Sequence, residues 1–164
     1  MTTRWKNRPE GSTWGDWGDD DQKGRMNLLT PERVKAAVAE VKDGRSFCLS
    51  LPLDLPGGNA VNPKRHPPQL NPVFVGDDVY FNYVWDRHIP GDMDVSCDEA
   101  ILLYSQYSTQ WDSLCHIGSK FDADGDGEPE PVYYNGYRPG EHVGGTPGDG
   151  KLGARALGIE NMAE

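Results

Sequence analysis

A mixed α/β chain with few helices is the class that this sequence predicts, on three observations. One short stretch carries helical periodicity between a start and a stop signal, and two others are dense in β-branched and aromatic residues. The rest is punctuated by 20 glycines and 13 prolines among 164 residues, which leaves little room for long elements.

The helix begins at Thr30, a good N-cap, with Pro31 at the first helical position and Glu32 near the positive end of the helix dipole. Val34, Ala37, Val38 and Val41 form one apolar face, and Asp43-Gly44 supplies the stop, so about three turns are predicted. Residues 1–29 are rich in Gly, Asp and Trp without either periodicity, and read as an irregular arm that packs on something else. Ser46 to Leu51 alternates as a strand does, whereas Pro52 to Pro72 is predominantly loop. Val79 to Trp85 and Ile101 to Tyr107 are predicted strands, separated by a polar loop with His88 and Cys97. Asp122-Ala-Asp-Gly-Asp-Gly is a turn, after which Pro131 to Tyr134 returns as a strand closed by Asn135-Gly136, and Pro139 to Gly150 is loop again. Leu152 to Glu164 reads as a helix still running at the last residue, as in a chain cut before its domain ends. Residues 30–164 are accordingly taken as part of a single domain.

The formal charge of −10 concentrates in Asp16 to Asp21 and Asp122 to Glu130, and such a chain repels phosphate backbones, which argues against a nucleic-acid partner. No stretch approaches the roughly 18 apolar residues of a membrane span, and Met-Thr-Thr-Arg-Trp-Lys lacks the apolar core of a signal peptide. A soluble cytoplasmic protein without a membrane partner is expected. Cys48, Cys97 and Cys115 are odd in number and lack Cys-x-x-Cys spacing, which suits free thiols in a reducing compartment.

Ligand-type side chains are densest in Gln106-Tyr-Ser-Thr-Gln110-Trp-Asp112-Ser-Leu-Cys-His116. On an extended strand Gln106, Gln110, Asp112 and His116 leave the same face, which collects two amides, a carboxylate and an imidazole. Ten residues of straight strand span about 33 Å, so the chain must bend for all four to share an ion. The alternative for Gln, Asp and His at a strand end is loop capping.

This stretch resembles, without a gap, the motif His-x-Gly-Thr-His-x-Asp-x-Pro-x-His of the cyclase family of metal-dependent hydrolases, the group that includes bacterial kynurenine formamidase and isatin hydrolase. Thr109, Asp112 and His116 match directly; Gln106 and Gln110 stand where the family has metal-binding histidines, and Leu114 stands at the proline. Two further stretches are similar to the family, Trp17 to Val34 and Tyr133-Tyr-Asn-Gly136, so the resemblance covers most of the chain as an N-terminal part of the family's domain. It implies a swivelling β/β/α fold, incomplete at the C-terminus, a homodimer, and hydrolysis of a small amide, lactone or related carbonyl substrate. It also implies Asp112 as metal ligand, with Gln110 and Gln106 in the positions of the other two, and His116 as general acid/base. A divalent ion lowers the pKa of its bound water, and an imidazole can carry the proton to the leaving group. Carboxamide oxygens in place of imidazoles favour a harder ion, Mn²⁺ over Zn²⁺. The family's remaining ligands, a His and a Glu, belong to its C-terminal half.

Other residues invite competing readings. Cys115 adjoins His116, but neighbours on a strand face opposite ways, and a buried structural thiol is the expectation. Asp122-Ala-Asp124-Gly-Asp126-Gly127 opens like an EF-hand loop, yet Tyr133 stands at the twelfth position where a bidentate Glu is required, and a solvated hairpin turn is the plainer reading. His66, His88 and His142 lie in Pro- or Gly-rich loops and read as surface histidines. Trp5, Trp14 and Trp17 read as anchors of the arm before they read as a substrate pocket. A non-catalytic calcium-binding or interaction module, or a family member that has lost catalysis, are the alternatives to a hydrolase.

Overall fold

The computed structural model describes residues 4–145 and 150–163. Its regular elements, in chain order, are the helix α1 (Pro31–Ala39) and eight short strands: β1 (Gln69–Pro72), β2 (Phe74–Val75), β3 (Asp78–Val79), β4 (Tyr83–Val84), β5 (Val95–Ser96), β6 (Glu99–Leu102), β7 (Ser119–Phe121) and β8 (Glu130–Val132). Short 3₁₀ turns lie at Gly24–Leu28, Trp85–Arg87, Tyr134–Gly136 and Ile159–Met162. The mixed class is as expected. The chain divides into two compact units, one of residues 1–46 with 111–164 and one of residues 47–110.

In the first unit, α1 starts where its signals put it, with the Thr30 hydroxyl accepting the Arg33 amide at 3.4 Å and Pro31 at the head of the helix. It ends at Ala39, a turn short of the Asp43-Gly44 stop, and buries none of its residues. Strands β7 and β8 pair antiparallel with Ser119 opposite Val132 and Phe121 opposite Glu130, so the acidic segment is the loop of a β-hairpin. The hairpin carries one core cluster: Trp14, Ala123 and Val132 are buried, with Trp5, Phe121 and Tyr134 packed against them. Trp14 meets Trp5 and Phe121 at ring-centroid distances of 6.0 Å each, so these two tryptophans anchor the arm. Gly118 is required here, since a Cβ on it would come within 2.5 Å of the Val132 carbonyl oxygen.

A second cluster joins Tyr137, Ala156 and Leu157 to Leu114, Cys115, Tyr133 and Tyr134. It replaces the helix predicted from Leu152. Leu157 has φ of 64°, a left-handed conformation that no helix interior accepts, and only the 3₁₀ turn Ile159–Met162 follows. Of the apolar residues there, Ala156 and Leu157 are buried in the cluster, whereas Leu152 and Ile159 are exposed. Residues 146–149, within the loop read at Pro139 to Gly150, and residue 164, within the predicted helix, lie outside the described residues.

The second unit is built from two-stranded antiparallel pairs: β1 with β6, β2 with β3 across the Gly76-Asp77 turn, and β4 with β5. The strand predicted over Val79 to Trp85 is interrupted, because Asn82 takes φ of 51° and the chain turns between β3 and β4. Asparagine tolerates that conformation better than the β-branched residues around it. Tyr83 is buried there, with Tyr80, Trp85 and His88 set about its ring at 5.5, 5.7 and 5.6 Å. Ser46 to Leu51 forms no strand; alternation gives a segment two faces but not a strand to pair with, and Phe47 and Leu49 are exposed. The third predicted strand is shifted, pairing over Glu99–Leu102 and turning before Gln106.

Candidate functional site

The stretch from Gln106 to His116 is turn and coil, not strand, so the shared-face argument does not describe it. Strand pairing stops at Leu102, and hydrogen bonds to loops take over. Gln106 and Gln110 belong to the second unit, Asp112 and His116 to the first.

The first half of the motif is stitched to the proline-rich loop of its own unit. Arg65 Nη1 donates to the Gln106 carbonyl at 2.7 Å, the Tyr107 hydroxyl donates to the Gly58 carbonyl at 2.7 Å, and the Ser108 hydroxyl donates to the Pro52 carbonyl at 2.9 Å. The Thr109 hydroxyl accepts the Leu51 amide at 3.1 Å. Four consecutive residues are thereby held by a segment with no regular structure, and Gln106 lines a cavity of about 40 Å³ with Pro56, Gly57, Arg65 and Tyr107. Gln110 is exposed.

The second half is fixed from below. Leu114 and Cys115 pack on the Tyr137, Ala156 and Leu157 cluster, while Asp112 is exposed and His116 half-buried. The His116 amide donates to the Ser113 carbonyl at 3.1 Å, which closes a turn, and the Ser113 hydroxyl lies 2.8 Å from Cys115 Sγ. Cys115 is thus half-buried in a packed cluster, the structural role expected of it. The exposed Trp111 lines an apolar hollow of about 270 Å³ with Met26, Ile159, Met162 and Ala163.

Beneath the arm lies a polar joint that sequence reasoning missed. Asn135, fully buried at φ 55° and ψ 29°, accepts from Trp5 Nε1 at 3.3 Å and from the Gly15 amide at 2.9 Å. Its side-chain nitrogen donates to the carbonyls of Gly18, Asp19 and Asp21 at 3.0, 3.0 and 3.2 Å. Next to it the Tyr134 hydroxyl donates to Asp21 Oδ2 at 2.7 Å, and Asp21 also accepts from the Gly24 amide at 2.8 Å and Asn27 Nδ2 at 2.7 Å. Burial alone would raise the Asp21 pKa, but the bonds from Tyr134, Asn27 and the Gly24 and Lys23 amides outweigh it and hold the carboxyl below its ordinary range. Burial, then the bond to Asp21, pushes the Tyr134 hydroxyl up. The sequence signal for this joint is Asn135-Gly136, which reads as a turn and as the end of the Tyr133 to Gly136 stretch similar to the family.

The acidic hairpin loop holds a group that could take a cation: Asp122, Asp124 and Glu130 each offer a carboxylate oxygen, all within 4.8 Å of one another. Among the described residues it is the group of three His, Cys, Asp or Glu side chains that meets this spacing. Asp122 and Asp124 already accept the Asp126 amide at 3.0 and 3.2 Å, and Glu130 Oε1 accepts from Arg138 Nη1 at 2.8 Å. Despite partial burial, that bond from Arg138 helps to hold the Glu130 carboxyl below its ordinary range. An EF-hand loop would have its last ligand at Tyr133, whereas the hairpin register, with Phe121 opposite Glu130, is what returns Glu130 to Asp122. Of the three loop histidines, His66 is exposed beside Tyr104 and His88 is exposed on Tyr83, whereas His142 is partly covered. It is half-buried, and its Nδ1 accepts the Arg138 amide at 3.1 Å. No described helix is long and apolar enough to cross a membrane.

A scan against protein-family models finds no match, and a search of curated proteins finds no similar one. Among solved structures the chain is similar to a crystal structure described as that of a novel cyclase, with 35% sequence identity and a TM-score of 0.61. The likeness covers 92% of this chain and 44% of the other, so the chain spans under half the length of that cyclase. Its small antiparallel sheets with little helix match a cyclase-like fold, as a part of it. At that identity, over nearly the whole chain, the match supports a relation to the cyclase family.

Proposed function

We propose that this chain contributes to a metal-dependent hydrolase of an amide, lactone or related carbonyl substrate. The observation that carries the reading is the 35% identity to a cyclase over 92% of the chain, together with the ungapped motif from Gln106 to His116. By the family motif Asp112 would be the anionic metal ligand, and carboxamides, Gln110 and Gln106, stand at the positions of two further ligands. This donor set is hard and carries a single charge, which fits Mn²⁺ better than Zn²⁺ and predicts loose binding. When bound, the ion supplies a water of lowered pKa. His116 would hold the proton taken from that water and pass it to the leaving nitrogen or oxygen. The reading carries a small-molecule substrate, a homodimer, and a cytoplasmic setting in keeping with the free thiols of Cys48, Cys97 and Cys115.

The test is hydrolysis of amide and lactone substrates by the protein as encoded, with and without Mn²⁺ or Zn²⁺. His116→Ala should lower metal-dependent turnover by roughly 10² to 10⁴-fold, the usual loss for a general acid/base. Turnover indifferent to His116→Ala removes the assignment.

A second reading is favoured by Asp122, Asp124 and Glu130: a calcium-binding or interaction module with the hairpin loop as its working part. A third, motivated by Gln106 and Gln110 in place of histidines, is a relative that binds but does not turn over. Metal on Asp112, metal confined to the loop, or none at all separates the three.

A further inference from the structure

We propose that His142 is a pH-sensitive latch: protonation at its Nδ1 withdraws the acceptor from the Arg138 amide and loosens the turn that holds Arg155 to Leu157 in place.

The geometry fixes the neutral tautomer. Because Nδ1 accepts the Arg138 N–H at 3.1 Å, it carries a lone pair and the ring proton resides on Nε2. The same residue ties both sides of a small knot with its backbone. Its N–H donates to the Arg138 carbonyl at 3.0 Å, and its carbonyl accepts the amides of Arg155 at 2.8 Å and Ala156 at 3.1 Å. The ring stands edge-on to Tyr137 at a centroid distance of 5.0 Å, and Tyr137, Ala156 and Leu157 are the buried residues on which Leu114 and Cys115 rest. Leu157 is further tied by its amide to Gln22 Oε1 at 2.7 Å. One imidazole therefore sits where the 138–143 turn, the 155–157 segment and the support of the Ser113 to His116 turn meet.

Protonation turns both ring nitrogens into donors. The Arg138 N–H then faces an N–H, and a half-buried amide loses its partner, at a cost that the turn avoids by opening. The charged groups around the ring act in both directions. Glu141 Oε1, 3.7 Å from Nε2, favours the cation. The guanidinium of Arg155, bonded to the Gly140 and Gly144 carbonyls of the same turn, and that of Arg138, paired with Glu130, oppose it. Arg4 lies over the Tyr137 ring at 4.0 Å from its centroid and is itself paired with Asp20. Glu141 is largely exposed, so its attraction is screened, while the lost acceptor is internal.

The experiment is amide hydrogen exchange, with each rate normalised to its intrinsic value at about pH 8 and about pH 5. The Arg138, Arg155 and Ala156 amides should lose about tenfold in protection on acidification, with the amides of β8 unchanged as reference. His142→Asn places a non-titrating side-chain oxygen at the Nδ1 position and should keep protection at both values, whereas His142→Ala should lose it at both. Unchanged wild-type protection, or an equal loss in His142→Asn, overturns the proposal. Should either variant fail to fold, the ¹⁵N spectrum of the wild-type ring decides: an Nδ1 that is unprotonated at about pH 8 and gains its proton as the Arg138 amide loses protection upholds the latch, and an Nδ1–H tautomer at about pH 8 contradicts it.

Discussion

Asn135 and Trp5 stand 130 residues apart in the chain and meet through a 3.3 Å hydrogen bond from the indole nitrogen to the buried amide oxygen. The relationship is structural in both directions. Asn135 uses its oxygen twice and its nitrogen three times, so one side chain ties five residues of the arm. Gly136 beside it, at φ 72°, must be glycine, since a Cβ there would lie 2.8 Å from Trp5 Cδ1.

Asn135→Asp keeps the acceptor but turns an oxygen toward three carbonyls and buries a charge without a cation. A loss of about 3 kcal/mol or more is expected, read as a lower urea midpoint by the fluorescence of Trp5 and Trp14. A wild-type midpoint would mean that the arm is held elsewhere.

The Tyr134 and Asp21 pair makes a pH prediction with a definite sign. Asp21 titrates lower in the fold than its ordinary 3.8, so its contribution is fully present above that value and is lost as pH falls through the folded one. Tyr134 titrates above its ordinary 10.0, so its contribution is present below that value and is lost as pH rises through the folded one. Tyr134→Phe should cost about 2 kcal/mol at neutral pH, move the acid unfolding midpoint upward, and weaken the alkaline loss. Identical acid midpoints for the two proteins would show that the bond does not stabilise the carboxylate.

Much of this was legible where a signal is local. Thr30 with Pro31 marked the start of α1, the Asp-Gly pairs marked a hairpin loop, and the tryptophans marked an anchored arm. What escaped depends on partners distant in sequence. Ser46 to Leu51 has the pattern of a strand but pairs with none, and beyond Leu152 it is Ala156 and Leu157 that serve a cluster with Leu114 and Tyr137. The motif from Gln106 to His116 was legible as chemistry but not as conformation, because its backbone bonds to Leu51, Pro52 and Gly58 follow no period. Glu130 joined the acidic group through a hairpin register that no loop consensus contains.

The hairpin loop should bind calcium no tighter than the millimolar range. It offers Asp122, Asp124 and Glu130, but Tyr133 stands at the twelfth position and Glu130 is already paired with Arg138. Calorimetric titration checks this; a micromolar affinity abolished by Asp124→Ala would promote the calcium reading over the hydrolase.

The central claim, that Asp112 is a metal ligand of a cyclase-type site, is tested most directly by Mn²⁺ binding followed by electron paramagnetic resonance in the wild type, Asp112→Ala and Asp124→Ala. The account predicts weak binding that Asp112→Ala abolishes and Asp124→Ala leaves in place. Binding that survives Asp112→Ala and vanishes with Asp124→Ala would contradict it.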